Sequence, residues 1–246
     1  MRRMIQAFTA VVAVGLLTTA CGTSGSPSGS TDSGAAGSSA AGSAKSAPAD
    51  TAKSAAKVLP VAIDGPQKDV VQRGGGDALK VTPAPDSKAP VVEKVEHALR
   101  EDVLSAAHVP GTTSAKCADG ITMKAGAVSQ CVVTYEGAEI PYEVKISDKY
   151  TEGSFVFSYT KTQKKALLVA KEIYNRFHER YGSTSTASRL ACDEIPAAKT
   201  FDFGADTGYT CQYWSEHGTK DGKPGYVTVK VRIGSTRGSI ALDEVR

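Results

Sequence analysis

The chain has 246 residues and a formal net charge of +3, with 29 Lys and Arg against 26 Asp and Glu. This length suits one large domain or two small ones, and the near-neutral charge excludes the strong basic surface of a dedicated nucleic-acid-binding protein. Outside the extreme N-terminus, no apolar run reaches the roughly 18 residues that a membrane-spanning helix needs.

The N-terminus has the three parts of an export signal. Arg2 and Arg3 form a positive start, residues 8–17 are apolar, and small residues lead to Cys21. Residues 17–21, Leu-Thr-Thr-Ala-Cys, resemble the lipobox of bacterial lipoproteins, although a Thr stands where that motif has Leu, Val or Ile. The resemblance implies that residues 1–20 are a removed signal peptide and that Cys21 carries a diacylglycerol and an acyl chain. The alternative is a secreted protein with a chance cysteine, and both the Sec and the twin-arginine routes of export stay open.

A low-complexity segment follows this cysteine. Residues 22–57 are almost entirely Gly, Ser, Ala, Thr and Pro, with no Val, Ile, Leu, Met or aromatic residue. Such a composition cannot bury enough apolar surface to offset the entropy of ordering, and a random coil of these 36 residues spans roughly 30–36 Å. We expect a flexible tether from residue 21 to residue 90, in which residues 58–90 are mostly linker; a docked strand at residues 58–63 is the alternative.

Two amphipathic helices are predicted. The first covers residues 91–107 and begins after Pro90, a residue type that suits the start of a helix. Its apolar side chains recur at helical spacing at Val92, Val95, Leu99, Val103 and Ala106. The second helix is predicted near residues 163–181, with Thr162 as its N-cap.

Each helix is followed by a cysteine, a loop, a second cysteine and three segments in which apolar and polar residues alternate. These segments predict strands joined by turns, at residues 131–135, 142–146 and 154–159 in the first copy and 209–214, 226–231 and 239–242 in the second. The unit repeats after 75 to 80 residues, which is too long for a solenoid. The predicted fold class is therefore α+β, with two tandem small domains, residues 91–160 and 161–246, each a helix packed on an antiparallel sheet of three to four strands.

The chain contains five cysteines, and four remain once Cys21 is assigned to the lipid. In an exported protein, paired cysteines form disulfides by default. Four cysteines allow three pairings, and the repeat selects one disulfide per copy, Cys117 with Cys131 and Cys192 with Cys211. A metal site is the weaker alternative, because neither pair has the Cys-x-x-Cys form and no histidine lies at ligand spacing.

The order of these features resembles an uncharacterised cysteine-paired domain that is common in actinobacterial lipoproteins. Residues 116–121 and 124–133 carry the resemblance best, with a cysteine, a Gly-containing turn and a Cys-Val-Val segment. The second copy matches more loosely, because its loop between the cysteines is longer. The resemblance covers residues 91–246 and implies no known activity. The architecture is also similar to that of the secreted β-lactamase inhibitory protein, without a local motif in common.

The sequence contains no recognisable catalytic motif. Its four histidines do not accompany a nucleophile or metalloprotease motif, and two of them, His97 and His178, are expected on solvated helix faces. Lys161, Lys164 and Lys165 are also expected to be solvated, at the start of the second helix. We therefore expect the protein not to be an enzyme and to hold neither a metal nor a cofactor other than the lipid.

The single tryptophan marks a candidate binding surface. If Cys211 and Tyr213 point to the core, Trp214 lies on the opposite face of its sheet, beside a loop where the first copy has a tight turn. We predict a binding surface that contains Trp214, His217 and Lys220. The alternative is that Trp214 packs against another part of the chain.

Together these features predict a lipid-anchored protein at the extracytoplasmic face of the cell membrane, which acts as a non-catalytic binding or interaction module. Its expected partners are the membrane, through the anchor, and an envelope polymer or a protein, but not nucleic acid. A tandem-domain inhibitor or sensor of an extracellular enzyme is the alternative.

Overall fold

The computed structural model describes residues 58–71 and 76–245. All of these residues belong to one compact unit of the chain. The predicted signal peptide, the lipidation at Cys21 and the low-complexity segment 22–57 lie outside the described residues.

The described residues form two α-helices, α1 (Val91–Ala107) and α2 (Ala170–Tyr181), and a 3-10 helix at Gly76–Leu79. Their strands, in chain order, are β1 (Val61–Ala62), β2 (Thr113–Cys117), β3 (Val128–Tyr135), β4 (Ala138–Ile146), β5 (Tyr159–Gln163), β6 (Ala166–Val169), β7 (Ser188–Cys192), β8 (Ala198–Phe201), β9 (Asp206–Ser215), β10 (Gly225–Ile233) and β11 (Ile240–Val245). The fold is therefore α+β with antiparallel sheets, as the sequence predicts.

Helix α1 packs on a four-stranded antiparallel sheet with the order β2-β3-β4-β5. Buried and more exposed positions alternate along β3 and β4, so that every second side chain points to the helix. Val95, Leu99 and Val103 of the helix are buried in one apolar cluster with Val133 and Val144. The bounds of α1 are the predicted ones, because its apolar spacing and the preceding proline indicate the same start.

Helix α2 packs on a five-stranded antiparallel sheet with the order β1-β7-β9-β10-β11. Its side chains Ile173 and Phe177 are fully buried in a second apolar cluster, together with Val229 and Val231 of β10. The alternation of β10 directs every second residue to this core. The three predicted strands of the second copy correspond to β9, β10 and β11.

Strand β6 lies between the two cores, and all four of its residues are buried. Ala166 and Leu168 belong to the apolar cluster beneath α2, whereas Leu167 and Val169 belong to the cluster beneath α1. Because the side chains of a strand alternate between two faces, this one strand contributes to both cores. It pairs with β8 in a separate two-stranded sheet. The predicted boundary between residues 160 and 161 falls inside β5.

The two predicted disulfides are present in the structure. Cys117 bonds to Cys131, and Cys192 bonds to Cys211. In each case the two cysteines lie directly opposite each other on neighbouring antiparallel strands, β2 with β3 and β7 with β9. Each disulfide therefore joins the strand that follows a helix to the first strand of the meander beside it.

The predicted start of the second helix is wrong. Residues 159–163 form β5, which pairs with β4, and α2 begins only at Ala170 with Val169 rather than Thr162 at the N-cap position. The reason is the apolar run from Ala166 to Ala170, whose residues are all buried. A short continuous apolar run of this kind fits a buried strand as well as a helix, and its periodicity does not separate the two.

The predicted strand at residues 154–159 is also wrong, because strand pairing with β4 begins only at Tyr159, opposite Ile146. The residues between these two strands form a long loop in which Phe155 and Val156 are exposed. A segment with an alternating pattern forms a strand only where a neighbouring strand is available for pairing. Residues 154–158 have no such neighbour, because β4 ends at residue 146.

The linker interpretation of residues 58–90 does not hold for the described part of that segment. Strand β1 pairs with Ala191 and Cys192 of β7, so the docked strand that was the alternative is the observed state. Ile63 is buried in the core beneath α2, and Val81 is buried in the core beneath α1. The few apolar residues of this segment are therefore sufficient to fix it on the folded unit.

Candidate functional site

The alternation of β9 places Trp214 on the sheet face opposite α2. The ring of Tyr213 stacks on Tyr181 of α2, with 4.7 Å between the ring centroids, so Tyr213 faces the helix. Trp214, the next residue, points to the other face and is half-buried. This is the orientation that the sequence predicts.

Trp214 is surrounded by an aromatic ring, a guanidinium group and a carboxylate. Tyr226, directly opposite on β10, meets the indole edge-to-face at 5.2 Å and 80°. The guanidinium carbon of Arg189 lies 5.2 Å from the indole centroid, a cation–π distance, and the indole Nε1 donates to Glu216 Oε1 at 3.4 Å. We call Arg189, Trp214, Glu216 and Tyr226 the Trp214 surface.

Arg189 reaches the indole because strand β7 is irregular there. The register between β7 and β9 shifts between Ser188 and Ala191, and Arg189 has a left-handed backbone with φ of 49°. A residue other than Gly adopts this backbone conformation at an energetic cost. The β-bulge thus turns an exposed arginine onto the face that carries Trp214.

His217 and Lys220 are exposed in the adjoining loop, residues 216–224. The loop is organised by Thr219, whose Oγ1 donates to the Lys223 carbonyl at 2.5 Å and accepts from the Lys223 amide at 3.0 Å. The described ring contacts of Trp214 are with Tyr226 and Arg189. The structure thus places His217 and Lys220 next to the Trp214 surface rather than in contact with its indole.

No protein-family model, curated protein or solved structure matches this chain. Within residues 58–71 and 76–245, no group of three or more His, Cys, Asp or Glu side chains is placed to hold a metal ion. The same residues contain no helix that is long and apolar enough to cross a membrane.

The Trp214 surface offers the chemistry of recognition. The rings of Trp214 and Tyr226 supply a large contact area, and these side chains lose little conformational entropy on binding. The guanidinium group of Arg189 supplies up to five hydrogen-bond donors in a planar arrangement. Trp, Tyr and Arg are the residue types enriched among the energetically dominant residues of protein interfaces. An aromatic cluster on an otherwise polar sheet face is therefore suited to bind a protein segment.

A polar cluster around Asp102 joins α1 to the loop between β10 and β11. The Asp102 carboxylate pairs with Arg237 of that loop, with Lys161 Nζ at 2.9 Å, and accepts a hydrogen bond from the Tyr142 hydroxyl at 3.1 Å. Burial raises the pKa of Asp102, but the hydrogen bonds from Arg237 and Lys161 and the positive charges of both residues together hold the pKa below its usual value. Each charged group in the cluster has a partner, which indicates a structural role.

A cleft of about 600 Å³ lies between α2 and the edge strand β11. Glu172 is buried at its base, 3.0 Å from His108 Nδ1, and accepts a hydrogen bond from Arg176 Nε at 2.5 Å. Arg180 donates to the Leu242 carbonyl of β11 at 2.7 Å. These side chains bind one another and the strand edge, which is a known way to protect an edge strand from further pairing.

The predicted solvation of two histidines is wrong. His97 Nε2 lies 2.8 Å from the Val81 carbonyl, so this histidine helps to hold residues 76–90 on α1. His178 Nδ1 is buried and has no hydrogen-bond partner among the described residues. The prediction failed because a polar helix face can be covered by a distant segment of the chain.

The three lysines are exposed, as predicted, and each pairs with a carboxylate from another part of the chain. The pairs are Lys161 with Asp102, Lys164 with Glu143, and Lys165 with Asp202. These lysines lie on and after β5 rather than at the start of a helix.

The sequence prediction missed three of the four members of the Trp214 surface, Arg189, Glu216 and Tyr226. The sequence could have indicated Tyr226, because the first residues after the loop of a hairpin pair with the last residues before it. The sequence could not have indicated Arg189, because its position depends on the β-bulge. No glycine marks that bulge around residue 189.

Proposed function

We propose that this protein is a lipid-anchored, non-catalytic binding protein of the cell envelope that holds a protein partner at the Trp214 surface. The observation that carries the proposal is the cluster of Trp214, Tyr226 and Arg189 on the sheet face opposite α2. The lipobox-like residues 17–21 support the anchor, which would carry its lipid on Cys21 at the extracytoplasmic face of the cell membrane.

We also propose that the two helix-and-sheet halves are tandem copies of one unit, related to the cysteine-paired domain of actinobacterial lipoproteins. The orders β2-β3-β4-β5 and β7-β9-β10-β11 match, and the disulfide joins the first two strands of each series. In this correspondence Trp214 takes the place of Thr134, three residues after the second cysteine. The aromatic surface is thus a feature of the second copy alone.

The anchor is tested by the intact mass of the full-length product purified from the membrane of its own organism. We expect a chain that begins at Cys21 and carries a diacylglycerol and an acyl chain. A chain of unmodified mass, or one that begins elsewhere, would contradict the anchor and leave the binding proposal to be tested separately.

The binding surface is tested by capture from detergent-solubilised cell envelopes, with the wild-type chain and the Trp214→Ala variant as baits. We expect a defined protein to bind the wild type and its yield to fall by about tenfold or more with the variant. Val132→Ala is the matched control, because Val132 is an exposed apolar residue of β3 in the other half. Thermal unfolding of all three chains separates a loss of binding from a loss of stability.

Equal capture by the wild type and by Trp214→Ala would contradict the Trp214 surface. Retention of the wild type by purified cell-wall polymer, and not by protein, would replace the protein partner with an envelope polymer. A captured enzyme whose activity falls on binding would support the inhibitor alternative, since that outcome is specific to an inhibitor.

A further inference from the structure

The loop between β4 and β5, residues 147–158, exposes apolar side chains to an unusual degree; we call it the Phe155 loop. Phe155 is 104% exposed and Val156 is 85% exposed, more than any other large hydrophobic residue that the structure describes. With twelve residues between adjacent antiparallel strands, the loop is longer than the usual hairpin connection of two to five residues. Long loops of this kind are commonly functional.

The Phe155 loop has internal structure that keeps its apolar residues in solvent. The Ser147 amide donates to the Ser158 carbonyl at 2.9 Å and closes the base, and the Ser154 amide donates to the Thr151 carbonyl at 3.1 Å immediately before Phe155. Phe157 folds back and stacks on Tyr159, with 6.0 Å between the ring centroids. The neighbouring aromatic residue is therefore held at the sheet, while Phe155 and Val156 project from it.

The charges around the loop balance. Lys145 pairs with Asp148 at 3.1 Å. The other two charged residues of the loop, Lys149 and Glu152, have opposite signs. A strongly charged partner is not favoured by such a balance. The loop instead offers two adjacent apolar side chains on a projecting segment, with tyrosines at residues 150 and 159. Apolar side chains bordered by Tyr are typical of segments at a membrane interface.

We propose that Phe155 and Val156 insert into the surface of the phospholipid bilayer to which the protein is tethered. This proposal rests on the proposed lipid anchor in one respect: the anchor supplies the bilayer at high local concentration, so that a weak second contact becomes significant. The contact is apolar, and we therefore expect it to depend little on salt or on anionic lipid. A protein that receives Phe155 in a pocket is the competing occupant.

The test uses tryptophan fluorescence in the full lipidated chain, reconstituted into vesicles of phosphatidylethanolamine and phosphatidylglycerol with brominated acyl chains. Wild type reports from Trp214 alone, and the Phe155→Trp variant adds a reporter in the loop. We expect the added emission to be quenched by about half or more at the shallow depth of the interface, with Trp214 unquenched. Val132→Trp, at an exposed apolar site of β3, is the control and should not be quenched.

A second arm uses the full chain with Cys21→Ser, in which no lipid is attached, at millimolar vesicle concentration. Quenching of Phe155→Trp in both arms supports insertion, whether or not Cys21 is lipidated in the cell. Absence of quenching in both arms overturns insertion and leaves the anchor intact as a separate question, which the intact mass answers. Quenching of Val132→Trp to the same extent also overturns it, because the chain would then lie on vesicles without preference for the loop.

Discussion

The two halves of the described chain arrange the same parts in the same order, but they differ in what lies between the paired cysteines. In the first half, the residues between Cys117 and Cys131 connect β2 directly to β3. In the second half, the residues between Cys192 and Cys211 include β8, which pairs with β6. The longer segment between the cysteines of the second half is therefore one of the places where the two halves are joined.

The halves also differ in which pair of neighbouring strands is connected by a long loop. The first half joins β3 to β4 by a two-residue turn and places its long loop, with Phe155, between β4 and β5. The second half places its long loop between β9 and β10, beside Trp214. A sheet meander has its successive connections at opposite ends, so each half offers a different end for contact with other molecules.

The shared strand gives the largest expected effect. Leu168 is fully buried in the core beneath α2, and truncation to Ala removes apolar contacts and leaves a cavity. We expect Leu168→Ala to lower the free energy of unfolding by about 3 kcal/mol, in a range of 2–5. Since β6 contributes to both cores, we expect the amides of β3 and of β10 to exchange hydrogen faster in the variant than in the wild type, and to the same extent. Loss of protection in β10 alone would show that the halves unfold independently.

The two disulfides provide a direct comparison of the halves. The bonded cysteines are 14 and 19 residues apart in sequence, and the chain-entropy model gives about 3 kcal/mol for each, with a difference of only about 0.3 kcal/mol. We expect the paired Cys→Ser variants, C117S with C131S and C192S with C211S, to be destabilised by similar amounts in urea titrations. A much larger cost for the second pair would show that its disulfide also holds β8 against β6.

How far the sequence predicts this molecule depends on whether a feature is local. Helix α1 and strands β3, β4, β9 and β10 follow from spacing within one segment, both disulfides follow from the repeated order of helix and cysteines, and the structure has all of them. The pattern of residues 166–169 predicts a helix as readily as the observed strand β6, because a strand buried on both faces has the same continuous apolar pattern as a buried helix.

The partners in distant contacts were not accessible from the sequence, although the apolar residues 58–63 gave a docked strand as the alternative. The docking of β1 on β7 joins residues 61–62 to residues 191–192, and no local pattern reports such a pairing. At the candidate site, Trp214 and its sheet face follow from alternation along β9, whereas Arg189 follows from a bulge in another strand. The sequence thus located the surface but not its full composition.

The Asp102 cluster gives a smaller and pH-dependent effect. Because the pKa of Asp102 is held below its usual value, its carboxylate contributes stability above about pH 4, and this contribution is lost as the pH falls through the lowered pKa. We expect Asp102→Asn to cost about 2 kcal/mol near neutral pH, since Arg237 and Lys161 lose their partner.

The pH profile of unfolding separates this cluster from surface ion pairs. The difference in unfolding free energy between wild type and Asp102→Asn should shrink as the pH is lowered below 4. Asp148→Asn is the matched control, because Asp148 is 74% exposed and pairs with Lys145 within the first half; its effect should be within about 0.5 kcal/mol. A difference that does not change with pH for Asp102→Asn would contradict a role for the ionised carboxylate.

The smallest effect on stability is expected at Arg189, where the second half departs from the regular pairing of β2 with β3 in the first. Arg189→Gly relieves the cost of a left-handed backbone, about 1–2 kcal/mol, but loses the cation–π contact, about 0.5–1 kcal/mol, and adds the entropy cost of Gly, about 0.5–1 kcal/mol. These terms nearly cancel, so the free energy of unfolding should change by less than about 1 kcal/mol.

Capture of the protein partner should nevertheless fall, because the guanidinium group is lost from the Trp214 surface. Arg189→Lys is the informative comparison: it keeps the positive charge and the strained backbone but lacks the planar group that stacks on the indole. If the stacked plane matters for binding, both variants lose the partner; if charge alone matters, the Lys variant retains it. A destabilisation of more than about 2 kcal/mol in the Gly variant would instead assign Arg189 to the stability of the second sheet, where strain in β7 would be the means of holding Trp214 in place.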